Sequence, residues 1–403
     1  MTNTLVTSSI VAREALAILK NMLSFSANVN REYEDDFSGA MNKGYAPGMT
    51  INIKKPPRYQ YRAGRVAVPQ ATVETTVPLT LSQGGVDINF TSAERTLSLT
   101  KLEDKIAAAI APLANEIDRQ GLQLAHYSSF NAINPAGALP VTQAAALQVI
   151  TDANARLDEN AAPRDQRRAL ISNPKLNGAL VQGLAGLFNS QAKLSKQYGS
   201  GLLVDSLGLN MGMDQNVDVH TNGTQSVAGT NVAGAGQVGA AITVVGLGGT
   251  ITRGTIVTFP GVFAVNPQSR QSTGTLAQFV VTADLLAAAT SIPISPSIVT
   301  SGNFQNVTAS PTTGAPFLIV GAASIGYGTG VAFHKDAFTL AMVPMWKPEG
   351  GVGAKSSQRS EDGFTLKVTE GYDIINDNSI MRIDALFGWA ATYPELSVKI
   401  YTV

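Results

Sequence analysis

Between Thr221 and Gly330 the chain almost loses its charge. Arg253, Arg270 and Asp284 are the only charged residues in these 110 positions, against 55 in the remaining 293. A segment this poor in charge has little with which to solvate the outer face of a helix. It is built from Gly, Thr, Ser, Val, Ala and Ile, with strand-like runs at 241–246, 255–265, 276–283 and 316–320 and turn dipeptides such as Gly248-Gly249. Short runs of this kind at glycine-marked spacing predict an all-β barrel or sandwich. Ile256, Val257, Phe259, Phe263, Phe279 and Val280 supply core material that a low-complexity linker lacks. The sequences on either side share one composition, so 221–330 reads as a domain inserted into another.

The flanks mix helix and strand. Residues 8–26 have helical periodicity, with Val11, Ala15, Ile18 and Met22 on one face and Leu16, Leu19 and Leu23 widening it. That face must pack on the chain's own core or on a neighbouring subunit. An acidic stretch follows, containing Glu32, Glu34, Asp35 and Asp36. Met49–Ile53 and Val73–Leu81 alternate like strands, and Pro56-Pro57 ends the first, because proline cannot donate to a ladder. Together they predict a long β-hairpin arm. The best helix covers 100–130, opened by a Thr100/Glu103 capping box, with Pro112 expected to kink or interrupt it. A helix from Gln143 to about Asn160, a short strand at 169–172 and a helix at about 175–188 come next. Strands are expected at 364–368, 379–391 and 396–401.

Motifs for chemistry are missing. The 403 residues include no cysteine and carry a formal net charge of zero. Thiolate chemistry is thereby excluded, and bulk electrostatics do not favour nucleic acid. His126, His220 and His334 share no metal-binding spacing. Gly246–Thr250 resembles a phosphate loop only in glycine content and reads as a hairpin turn. Glu32, Glu34, Asp35 and Asp36 lack the spacing of a calcium loop and read as a solvated or subunit-pairing face. Lys54, Lys55, Arg58, Arg62 and Arg65 crowd the hairpin with Tyr59 and Tyr61 between them. They fit a solvated tip, a tip docked on an acidic neighbour, or one stacking on single-stranded nucleic acid. The acidic partner could be Glu34, Asp35 and Asp36 of another copy. No cofactor, metal or membrane partner is expected. The start, Met1-Thr2-Asn3-Thr4, lacks the pattern of a secretory signal, so the chain is expected to stay in the cell that makes it.

Several strings carry a family resemblance. They are Asn30-Arg31-Glu32-Tyr33, then Gly48–Pro56, the helix from Thr100, Ser172-Asn173-Pro174 with Leu184–Phe188, Thr252-Arg253-Gly254 with Phe259-Pro260-Gly261-Val262, and Gly388–Glu395. In this order the chain resembles tailed-phage coat proteins of the Hong Kong 97-type fold, and more closely the P22 coat protein family with its inserted β-barrel domain. The resemblance implies an α+β fold. Its parts would be an N-terminal arm at 1–40, an extended hairpin loop at 41–90, and a spine-helix peripheral domain at 91–138 and 362–403. An axial domain would take 139–220 and 331–361, and the inserted β-domain 221–330. It also implies a major capsid protein without catalytic activity, building pentamers and hexamers of an icosahedral shell around double-stranded DNA. A scaffolding protein and a portal protein would be partners, with the DNA touched non-specifically. Assembly would occur in the host cytoplasm and the product would be the virion capsid. A phage tail or decoration protein is the alternative. The helix at 8–26 and the hairpin at 49–81 are the two elements expected to reach neighbouring copies.

Overall fold

The computed structural model describes residues 8–32, 48–91, 102–185, 207–226, 231–347, 354–361 and 363–403. Thr100 of the expected capping box and residues 186–188 of the expected helix at about 175–188 lie outside these. The chain folds as two compact units. The first contains Met1–Ile53, Val77–Gly121 and Thr339–Ala390, and the second Lys54–Thr76, Leu122–Phe338 and Ala391–Val403.

The first unit is organised on β17 (Asn378–Ala391), the longest strand. It pairs antiparallel with β16 (Phe364–Asp373) on one side and β3 (Ser82–Thr91) on the other, and β15 (Ala354–Glu361) continues beyond β16. Helix α1 (Ser8–Met22) packs on β15 and β16. Its buried stripe is Ala12, Ala15, Leu16 and Leu19, continued by Leu23. Of the expected face, Ala15, Leu16, Leu19 and Leu23 are buried and Ile18 is half-buried, while the side chains of Val11 and Met22 lie outside the described residues. The apolar face of this helix is thus covered by its own chain, which removes the reason to assign it to a neighbouring subunit.

Helix α2 (Leu102–Ser128) runs through Pro112 without interruption. Proline leaves the carbonyl four residues earlier without its partner, and that residue, Ala108, is exposed. Water can therefore take the orphaned acceptor, which is why the expected break does not occur. Asp118 of α2 is buried and accepts from the backbone N–H groups of Ser24, Phe25 and Ser26 at 2.7, 3.2 and 3.0 Å. Its carboxylate holds the turn that follows α1 in the manner of a helix cap. Trp389 donates its indole N–H to the Ile117 carbonyl at 3.2 Å. A Cβ at Gly121 would lie 2.5 Å from the same indole, so the close approach requires glycine there.

The second unit holds two sheets. One has the order β4-β18-β13-β5-β6, from Asn131–Ile133, Ser397–Thr402, Gly326–His334, Arg168–Ser172 and Asn210–Met213, with β7 (Val219–Thr221) also paired to β13. Every residue of β5 and β18 is buried. Helix α3 (Gln143–Glu159) covers this sheet with Ala146, Val149, Ile150, Ala153 and Leu157, spaced as one helical face. Thr142 caps it, accepting from the Ala145 N–H at 3.3 Å. Helix α4 (Pro174–Leu184) starts on an Asn173 cap with proline in the first turn, where its missing N–H is harmless.

The other sheet lies within the charge-poor segment, in the order β12-β9-β10-β11-β8: Leu318–Ile319, Ile256–Val265, Ser272–Val281, Ser291–Ile298 and Gly239–Thr243. Val257, Phe259, Phe279, Ile292, Ile294 and Phe317 belong to a core drawn wholly from residues 232–319. Its ladders leave the sheet open. The segment Asn231-Val232 reaches toward both edges through isolated bridges, from Val232 to Val244 and from Asn231 to Pro316. The Gly246–Thr250 stretch is not a hairpin turn as expected. β8 pairs with β11 and β9 with β10 and β12, so the loop crosses between non-adjacent strands.

Candidate functional site: the hairpin arm and a buried cationic cluster

The arm begins as β1 (Thr50–Lys55) paired with β2 (Thr75–Thr80). Contacts of Thr50 with Thr80 at 2.9 Å and Lys54 with Glu74 at 3.3 Å make the pair antiparallel. At its root Ile53, Leu79 and Leu81 pack with Ala341, Val343 and Ala390. Beyond Pro56-Pro57 the ladder stops and side chains hold the two runs together. Tyr59 meets Thr72 at 3.0 Å, and the Gln70 side-chain amide accepts from the Gln60 backbone N–H at 2.8 Å and donates to the Gln60 carbonyl at 2.7 Å. Residues 59–69 are all exposed, including Tyr61 at 94%, Val66 at 79% and Val68 at 64%. Isolated exposed apolar residues are ordinary; this concentration on one projecting tip is not.

The five basic residues divide into two groups. Lys54 pairs with Glu74. Arg58 donates to Glu395 at 2.9 Å and lies 5.9 Å from the Phe304 ring centroid. Lys55 sits 5.0 Å from the Tyr393 ring centroid. Burial lowers its pKa, Glu395 opposes the shift and Arg58 adds to it. These three are engaged by their own chain at the arm's base. Arg62 donates to the Gly64 carbonyl within the tip, and Arg65 is exposed. No acid occurs between Pro56 and Val73, so the tip presents two cations beside Tyr61, Val66 and Val68. Glu34, Asp35 and Asp36 lie outside the described residues. Glu74 and Glu395, the partners at the base, are missing from the sequence-based site; nothing in their local spacing marks them.

A second site was not visible in sequence. His126 near the end of α2, His220 of β7, and Lys399 and Tyr401 of β18 converge in the second unit, each at most 3% exposed. The imidazole centroids are 4.9 Å apart. Lys399 donates to the Gly254 carbonyl at 3.0 Å, and His220 Nε2 lies 3.1 Å from the Thr255 hydroxyl. His126 Nδ1 and the Tyr401 hydroxyl have no hydrogen-bond partner. Burial brings Lys399 down to about 7, opposed by Asp218. Burial, then Lys399, brings His220 down to about 4 against a pull upward from Asn222. His126 is lowered by burial first, then by Lys399, His220 and Arg253. Burial raises Tyr401. The one sequence signal was a lysine inside the apolar strand Val398-Lys399-Ile400. Among the described residues no group of three or more His, Cys, Asp or Glu side chains is placed to hold a metal ion. No helix among them is long and apolar enough to cross a membrane.

The comparisons with known proteins place this architecture. The sequence profile described as P22 coat protein, gene protein 5, matches residues 73–401. The chain belongs to the P22 coat protein family, and its role is that of a phage capsid protein. No curated protein matches it. Among solved structures, one described as Mycobacterium phage Che8 is similar at 13% identity with a TM-score of 0.50, over 94% of this chain and 90% of that one. The mature capsid of bacteriophage PhiM1 is similar at 9% identity and TM-score 0.43, over 88% and 82%. The capsid of cyanophage P-SCSP1u gives 10% and 0.41, over 88% and 84%. At 13% identity the likeness to the first of these is one of fold.

Proposed function

We propose that the chain is the shell-forming subunit of an icosahedral capsid around double-stranded DNA, working by association with copies of itself and without a catalytic step. In this reading the parts are those of the Hong Kong 97-type fold. The hairpin is the extended loop, α2 the spine helix of the peripheral domain, and the sheet of α3 and α4 the axial domain. The charge-poor sheet is a barrel-like insertion. Pentamers and hexamers, an internal scaffolding protein and a portal are the partners that such a shell needs, and assembly takes place in the host cytoplasm.

The observation that carries the proposal is the hairpin tip. Aromatic residues and arginine are enriched where proteins meet, and Tyr61, Arg62, Arg65, Val66 and Val68 are displayed together with no core of their own. An acidic surface of a neighbouring copy is the proposed counterpart, with Glu34, Asp35 and Asp36 as candidates. The double charge swap Arg62→Glu/Arg65→Glu should abolish or strongly slow shell formation and flatten its salt dependence. Sedimentation and negative-stain microscopy at two salt concentrations read the result. Normal shells with unaltered salt dependence would remove the tip from the assembly contact.

A further inference from the structure

The buried cluster joins the charge-poor sheet to the strand that closes the other sheet. Gly254 lies in the turn Thr252–Thr255, just before β9, and its φ of +94° turns the backbone so that its carbonyl meets Lys399. A Cβ at Gly254 would come within 2.7 Å of His126 Nε2, so the turn rests directly on that imidazole. His220 holds the same turn through Thr255, and Thr252 donates to the Thr221 carbonyl at 2.7 Å. Arg253 stacks on Tyr127 at 4.2 Å, and its N–H bonds the Asp284 carboxylate at 2.7 Å.

The charges facing this seam are unbalanced. Lys399 comes from β18, His126 from α2, His220 from β7 and Arg253 from the turn itself. Against them stand Asp218, half-buried beside β7, and Asp284, exposed on the charge-poor sheet. Among the described residues no carboxylate lies within ion-pair distance of Lys399, His126 or His220. The rings of Tyr401 and Tyr327, stacked at 5.0 Å, wall the cluster.

We propose that this seam is an acid-sensitive latch, in which protonation of His126 and His220 beside Lys399 frees the Thr252–Thr255 turn and loosens the charge-poor sheet from β18. The docked state holds both imidazoles neutral. Opening exposes them to water, where they take up protons near the ordinary value of 6.5. Because the docked value of His220 is the lower one, the open state binds more protons between the two values. The His220 contribution to docking is therefore full above about pH 6.5 and is lost as pH falls toward 4. Lys399 acts with the same sign at higher pH, since its docked value of about 7 lies below the ordinary 10.5. With the values for His220 alone, the opening equilibrium rises about twenty-fold from pH 7 to pH 5. His126 adds to it.

Hydrogen exchange on the full-length chain, corrected for intrinsic rates, tests this at pH 7, 6 and 5. Peptides covering 252–256 and 397–401 should lose protection by at least that factor, while α3 keeps its own. Pairing His126→Gln with His220→Gln should remove most of the pH response of both peptides, leaving only the roughly two-fold part that Lys399 carries. Unchanged protection of the wild-type seam at pH 5 would overturn the latch, and so would a loss shared equally by α3, which would mark global unfolding. The wild-type series decides the matter even if the double variant fails to fold.

Discussion

The arm and the charge-poor sheet are both built from antiparallel strands, yet they use them oppositely. In the charge-poor sheet β9 and β10 pair over most of their length, and alternate residues enter a core that contains Phe259 and Phe279. In the arm the backbone ladder ends at Lys55, and nothing between Tyr59 and Pro69 is buried. The charge-poor segment keeps three charges in 110 residues, while the arm concentrates five cations in twelve. β-pattern alone does not say whether a strand pair is a core or a reach; what the alternating face meets decides it. A sheet packed on its own core does not need charge to hold it. A projecting hairpin needs charge to remain solvated until a partner covers its apolar tip.

The comparison breaks most readily in the core. Phe279→Ala removes a ring 1% exposed that packs on Phe259, with centroids 5.8 Å apart. A loss of about 3–5 kcal/mol is expected from the lost transfer energy and the cavity left behind. Urea denaturation with a probe in the second unit would measure it. A loss below about 1 kcal/mol would mean that the charge-poor sheet collapses onto the gap and is not tightly packed.

A smaller effect is expected at the arm's base. Arg58→Ala removes the contact with Glu395 and the approach to Phe304. Both charged groups of that pair are partly solvated, with side chains 35% and 22% exposed, so screening limits the loss to about 1 kcal/mol or less. The informative readout is local. Exchange of residues 56–60 should speed up, while β9 and β10 keep their protection. Unchanged exchange at the base would show that Pro56-Pro57 alone sets the arm's direction.

How far the sequence anticipated this depended on whether a segment's partner is local. The long helix, the hairpin and four strands of the charge-poor segment showed their own local pattern. Strand β3 alternates only in its second half, with Val86, Ile88 and Phe90 against Asp87, Asn89 and Thr91, because Gly84-Gly85 interrupts the run. β15, Ala354–Glu361, carries no such pattern and is a strand because β16 bonds to it. β11 was hidden by Pro293 and Pro296, which propensity reads as breakers. The arm's cations were legible in sequence as a group. Their division into base and tip was not, because Glu395 lies 337 residues from Arg58. The His126–His220–Lys399 cluster depends on three separate elements converging, which no spacing rule captures.

The smallest effect on the isolated chain, and the sharpest for the comparison, is Tyr61→Ala. The ring is 94% exposed and its truncation leaves no cavity, so stability should change by no more than about 0.5 kcal/mol. If the tip is a contact surface, the same substitution should raise the concentration needed for shell assembly several-fold, because buried aromatics dominate interface energies. Phe279→Ala should behave in the reverse manner, weakening the subunit before any assembly step. A Tyr61→Ala chain that melts early would place the ring in the subunit's own fold. One that melts and assembles like the wild type would leave Val66, Val68 and the two arginines to carry the contact.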